Sequence, residues 1–278
     1  MPTSTLEEFA LTLPRNAFSP REVARAGDVW RACQDVAVWE STRVGWPPGR
    51  YRDEGTSFIV RSMTALHHRE TRYGEPLRAR TWVSRLRREM FSTREVRIHS
   101  RGEPICSATQ EWVHVTAAGF GADAELTPAR APESLSSAFP VEAGFGESVT
   151  LPVVAEKISD GRAHELRFRC WHVWMDPLDH VNHPVYVDFA DESLACAMTR
   201  AGLSPGALVS VGESATFRAG VVADVEVRVE SRVTGTTAAG DVVFAHRVLG
   251  KDELLCATVT TVRRVLGTSS ERLVAALR

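Results

Sequence analysis

Cysteine is scarce and poorly placed for covalent or metal chemistry. Cys33, Cys106, Cys170, Cys196 and Cys256 are odd in number, widely spaced and free of C-x-x-C pairs. That excludes a disulfide framework and a cysteine-built zinc site, and suits reduced thiols that pack as small core residues in a cytosol. His67 and His68 lack a third ligand, so no metal is expected, and no cofactor. No apolar run approaches the roughly 20 residues a membrane helix needs. Residues Met1 to Glu8 have neither the basic region nor the apolar core of a secretory signal. A cytoplasmic protein without a membrane partner is the expectation. A net charge of −2 gives no reason to expect nucleic acid.

What is present is the composition of an ordinary globular protein, 44% hydrophobic and 24% charged over 278 residues. That length suffices for one large domain or two small ones. The charge is unevenly spread: residues 1–130 hold 19 Arg and 16 acidic side chains, the remainder 14 basic and 19 acidic. Arg85, Arg87, Arg88, Arg94, Arg97 and Arg101 crowd together in the sequence. They read either as a solvated sheet face or as a dock for an anionic partner.

The chain repeats an order of elements. Ala32, Cys33, Val36, Ala37, Glu40 and Val44 recur at helical spacing up to Gly45, and strands follow near Ser57–Met63, Leu77–Val83, Met90–His99 and Pro104–Val115. A second helical pattern ends at Gly202, with strands near Val209–Phe217, Val222–Val233, Val242–Leu249 and Leu254–Val265. Setting Val29 on Val181 also brings Glu40-Ser41 onto Glu192-Ser193, and Cys106 falls on Cys256 at a slightly different spacing. Between the halves, glycines and prolines without steady periodicity read as a long connection. Thr268 to Glu271 reads as a capping box opening a short last helix.

The chemistry is expected between the halves of the second strand–helix junction. An apolar strand, Leu166 to Trp174, runs into Met175-Asp176-Pro177-Leu178-Asp179-His180-Val181-Asn182-His183, and a helix begins with Pro184 in its first turn. Asp176 and His180 then face a helix N-terminus, where free amides and the macrodipole favour negative charge. Asp176-Pro177 reads equally as turn chemistry, since Asp side chains bond nearby N–H groups. His180 reads as a turn-shaping histidine or as a group that orients or protonates. Asn182 suits a helix N-cap, and His183 contributes through its backbone N–H. Tyr186 and Phe189 read as core or as pocket lining. Glu192, too far into the helix to cap it, is a candidate for the substrate pocket or a structural partner.

This stretch resembles the hotdog-fold thioesterases. Asp176-Pro177 ahead of the His183 amide is similar to the catalytic loop of 4-hydroxybenzoyl-CoA thioesterases. His180-Val181-Asn182-His183, with Tyr186 and Glu192-Ser193, resembles a run in acyl-acyl carrier protein thioesterases, although those enzymes carry a catalytic Asn where this chain has Leu178. Gly74-Glu75-Pro76-Leu77, Thr81-Trp82-Val83-Ser84, Arg94 and Glu111-Trp112-Val113 resemble the N-terminal half of the same family. The resemblance implies an α+β double hotdog, two repeats of a long helix wrapped by an antiparallel sheet. It would comprise an N-terminal repeat over 1–118, a connection over 119–150 and a C-terminal repeat over 151–278. It implies hydrolysis of an acyl thioester of acyl carrier protein or coenzyme A, with Asp176 as base or nucleophile. It also implies a pseudo-dimeric monomer or a homodimer of double hotdogs. A hydroxyacyl dehydratase and a non-catalytic acyl-thioester-binding protein are the competing functions.

Overall fold

The computed structural model describes residues 6–118, 125–142 and 144–278. The first half holds β1 (Phe9–Leu11), α1 (Ala26–Arg43), α2 (Pro48–Asp53), β2 (Thr56–His67), β3 (Leu77–Arg87), β4 (Phe91–Ser100) and β5 (Glu103–Ala118). β6 (Glu125–Pro128) and α3 (Glu133–Ala138) lie in the connection. The second half holds β7 (Val154–Lys157), β8 (His164–Arg169), α4 (Val185–Arg200) and β9 (Leu208–Phe217). It continues with β10 (Glu226–Thr237), β11 (Val242–Leu249), β12 (Leu255–Val265) and α5 (Ser270–Leu277).

Apolar periodicity decides which face each element buries. α1 hides Val29, Trp30, Cys33, Val36 and Ala37, and α4 hides Tyr186, Phe189, Ala190, Leu194, Ala197 and Met198. Along β10, Val227, Val229, Ser231 and Val233 are buried in strict alternation, as a sheet with one covered face requires. Arg101 and Gly102, at φ 52° and 86°, close the β4–β5 hairpin, the twist that two-residue turns favour. α1 packs on β3 and β4, α4 packs on β8, β10 and β12, and the helices touch each other. The strands form one sheet in the order β1-β3-β4-β5-β2-β9-β12-β11-β10-β7, with β6 on β5 and β8 on β10. The two halves meet where β2 pairs antiparallel with β9, Thr64 opposite Ser214. The largest buried cluster draws on both halves, so neither core closes without the other.

Several expectations need correction. The strand ahead of the loop stops at Arg169, and His172–Trp174 form a 3₁₀ turn. Trp171 and Val173 there are too apolar to betray a turn. The strand placed at Val222–Val233 runs from Glu226 to Thr237, and the connection carries β6 and α3; its residues 119–124 and 143 lie outside those described. The cap of α5 is Ser269, whose side chain accepts from the Arg272 amide, not Thr268. The six arginines do not share one patch. Arg88 and Arg101 flank opposite ends of β4, about 33 Å apart at strand rise. Arg94 is buried over Phe139, and Arg97 is tied to Glu95 and to backbone carbonyls.

The repeat is real but its register differs from the expected one. Asp176 N–H donates to His180 O and Ser19 N–H to Val23 O; Asn182 N–H donates to Trp174 O and Arg25 N–H to Ala17 O. The antiparallel bridges Met175–Val181 and Phe18–Ala24 match as well. Every one of these pairs is offset by 157 positions, so Ser19, not Ala24, stands opposite Asp176, and Arg25, not Trp30, opposite Asn182. Likewise Val181 N–H donates to Val221 O where Ala24 N–H donates to Thr71 O, an offset of 150 in the following strand segment. A loop length difference between helix and strand moves the register, and scattered identities cannot show that.

Candidate active site

The loop that enters α4 is built by its own carboxylate. Asp176 Oδ1 accepts from the amides of Leu178 at 2.8 Å and His180 at 3.4 Å, and Asp179 adopts φ 58° between them. The turn reading of Asp176 is therefore part of its structure, and its other oxygen has no hydrogen-bond partner among the described residues. Burial pushes the Asp176 carboxyl above its ordinary value, against the pull of those two amides and of His180. At Leu178, the position that departs from the acyl-acyl carrier protein thioesterase pattern, it is the backbone N–H that braces the carboxylate.

His180 packs its ring on Gly220, where a Cβ would collide with the imidazole. Asn182 does not cap the helix: its Oδ1 is buried without a hydrogen-bond partner, and Pro184 occupies the position before Val185. The His183 amide has no acceptor among the described residues, and Pro184 offers no N–H, so one free backbone donor stands at this helix entrance. The His183 imidazole lies between Trp112 of β5 and Phe217 of β9, at 6.2 and 5.9 Å, with Nε2 buried and unpaired. Burial, helped by the nearby Arg31 charge, lowers its pKa to about 3, which keeps the ring neutral.

Tyr186 and Phe189 are buried links in an aromatic series. Trp171 stacks on Trp174 at 5.0 Å, Trp174 meets Phe189 at 5.2 Å, Phe189 meets Tyr186 at 5.8 Å, and Tyr186 meets Phe217 at 5.2 Å. Glu192 does not join Asp176. It lines a cavity of about 850 Å³ on the first half's entry loop, together with Ser19, Arg25, Asp188, Asp191 and Arg263. Under that cavity lies a buried ionic cluster. Glu213 accepts from His67 Nε2 at 2.6 Å, from Trp30 Nε1 at 3.2 Å and from Arg263, which also reaches Asp191 at 2.6 Å. Sequence reasoning missed Arg31, Phe217, Gly220 and this cluster. The 157-residue offset, which sets Arg31 opposite Asp188, would have pointed to the first of them.

Comparisons with known proteins agree with this architecture. Residues 178–257 match the model of the thioesterase superfamily. The fold is similar to that of a Lactobacillus plantarum protein described provisionally as an oleoyl thioesterase, with a TM-score of 0.77 and 15% identity over 96% of this chain and 99% of that one. It is similar to an acyl-ACP thioesterase from Bacteroides thetaiotaomicron, TM-score 0.70 and 11% identity over 93% and 98% of the two chains. The 12:0-ACP thioesterase from Umbellularia californica gives 0.70 and 12% identity over 94% of each chain. No curated protein sequence matches the chain. The chain is a double hotdog, and its second half carries a thioesterase-superfamily segment that begins inside the Asp176 loop. Among the described residues, no helix is long and apolar enough to cross a membrane.

Proposed function

We propose that the protein hydrolyses acyl thioesters of coenzyme A or acyl carrier protein to free carboxylic acids, with Asp176 as its reacting carboxylate. The observation that carries this is the free oxygen of Asp176 in the same loop as the unpaired His183 amide at the start of α4. The carboxylate either takes a proton from water as water attacks the carbonyl carbon, or attacks that carbon itself to give a mixed anhydride that water then opens. In both routes the carbonyl oxygen gains charge, which the His183 amide and the helix dipole stabilise, and the C–S bond breaks to release the thiol. His180, packed beside the carboxylate, orients it, and the aromatic series through Phe189, Tyr186 and Phe217 supplies apolar wall for the acyl group. Dehydration would need a neutral histidine paired with an acid. One close His–Glu pair, His67–Glu213, is buried, and Glu213 raises the His67 pKa to about 9 against its burial. That keeps His67 charged. The other, His99 of β4 with Glu8, lies away from the Asp176 loop.

The test is Asp176→Asn, which keeps an acceptor for the Leu178 amide. Steady-state release of free thiol is expected to fall ~100- to 10,000-fold with an unchanged melting temperature. Near wild-type turnover in the folded variant would remove Asp176 from the mechanism. Hydrolysis in ¹⁸O-labelled water under single turnover then tests the anhydride route, since label enters the Asp176 carboxylate only when water opens an anhydride at the Asp176 carbon.

A further inference from the structure

Two entry turns of identical backbone differ in what they put on the surface. Ala17 N–H donates to Pro14 O and Trp174 N–H to Trp171 O; Phe18 N–H donates to Arg15 O and Met175 N–H to His172 O. The first turn is written Pro14-Arg15-Asn16-Ala17, the second Trp171-His172-Val173-Trp174. Trp171 is 63% exposed and Val173 79% exposed. The backbone does not require them, since its twin forms the same bonds with small and polar residues. Two exposed apolar side chains stand only at the turn that leads into the Asp176 loop.

Trp171 lies nearly parallel to Trp174, the rings 15° apart with centroids at 5.0 Å, and Trp174 is anchored on Phe168 and Phe189. One face of Trp171 is thus backed by the core while the ring stays mostly exposed. Arg169 and Trp171 are both exposed, on either side of the buried Cys170, so the extended chain sends them to the same side. Arg169 pairs with Asp224 in an exposed contact, which is worth little and easily exchanged. A rigid flat π surface with an arginine beside it is the chemistry that recognises a purine nucleotide. The six arginines considered as a dock for an acidic carrier protein are spread over β3, β4 and the turns that follow them.

We infer that Trp171 is the stacking platform for the adenine of coenzyme A, with Arg169 on its phosphates, so that coenzyme A is the carrier this site takes. This rests on the hydrolytic reading above, and two readouts keep the two apart. Adenosine 3′,5′-bisphosphate, which has no thioester, is titrated calorimetrically into the wild-type protein and into Trp171→Ala and Trp171→Phe. Acyl-coenzyme A, the matching acyl-acyl carrier protein and the acyl-N-acetylcysteamine thioester are then compared as substrates. The nucleotide is expected to bind the wild type, to lose about tenfold in affinity in Trp171→Ala, and to recover in Trp171→Phe. KM for acyl-coenzyme A should rise by a similar factor while the N-acetylcysteamine thioester changes less than about twofold. Three results would overturn the inference: no nucleotide binding by the wild type, equal losses on acyl-coenzyme A and the N-acetylcysteamine thioester, or a Trp171→Ala defect seen only with acyl carrier protein. If the nucleotide binds through Trp171 but none of the thioesters is hydrolysed, the hydrolytic reading fails and the platform stands.

Discussion

The loops entering α1 and α4 share their hydrogen bonds and differ in almost every side chain that could act. Ser19 stands where Asp176 does, Val23 where His180 does, Ala26 where His183 does. In the following segment, at an offset of 150, His67 is equivalent to Phe217 and Glu70 to Gly220, which reverses the polarity, whereas Met63 is equivalent to Glu213, which does not. The Asp176 loop is backed by aromatic groups, while the first half's entry loop borders a cavity over an ionic cluster to which both halves contribute. The repeat thus keeps its backbone bonds while the side chains at equivalent positions diverge.

The sharpest break of that comparison exchanges the two loops' key positions. Asp176→Asn should cost ~100- to 10,000-fold in turnover, and Ser19→Ala less than about twofold, measured as thiol release. Comparable losses from both would mean that the first loop is reactive too.

Next in size is the ionic cluster, which the first half's cavity covers. Glu213→Gln leaves Arg263 and His67 facing each other in the core, and should cost about 3–5 kcal/mol of stability by urea unfolding. Met63→Leu, at the equivalent apolar position, should cost less than about 1.5 kcal/mol. The cluster also predicts a pH window. His67 and Arg263 outweigh burial and hold Glu213 at about 2, below its ordinary 4.5, so its contribution is complete above pH 4.5 and is lost as pH falls towards 2. The His67 pKa is raised to about 9 from 6.5, so its contribution is complete below pH 6.5 and is lost as pH rises towards 9. Melting temperature should therefore peak between about pH 4.5 and 6.5, and the peak should flatten in His67→Gln. A profile identical to wild type in that variant would show the pair contributes nothing.

A smaller effect is expected at Gly220. Ala there would push on the His180 ring and should lower kcat/KM about tenfold or more through the displaced loop. Glu70→Ala, its counterpart, breaks the partly exposed pair with Arg21 and should leave turnover within about twofold and stability within about 1 kcal/mol. Equal losses would mean that the strand segment, not the histidine seat, sets the rate.

Much of this was legible in the sequence. The strand alternation in β10, the glycines at 45 and 202 and the Asp-Pro ahead of a helix each carry a local physical signature, and they place the sheet, both helices and the reactive loop. What was not legible depends on distance along the chain. The ionic cluster draws on α1, β2, α4, β9 and β12, and no one of its residues looks unusual among its neighbours. Asn182 looked like an N-cap because capping chemistry is local, yet Pro184 takes over the helix entrance. The arginines looked like a patch because six fall within seventeen residues, yet a strand sends alternate side chains to opposite faces and sets its ends far apart.

Arg31 and Asp188 are equivalent residues under the 157-residue offset, and they form an ion pair with each other where α1 meets α4. Thr64 and Ser214, equivalent at the sheet junction, likewise share a hydrogen bond of 2.8 Å. In a dimer of identical subunits, a residue on the twofold axis meets its own copy. Two first halves would bring arginine against arginine, and two second halves aspartate against aspartate. At this crossing the charges are therefore complementary only between unlike halves.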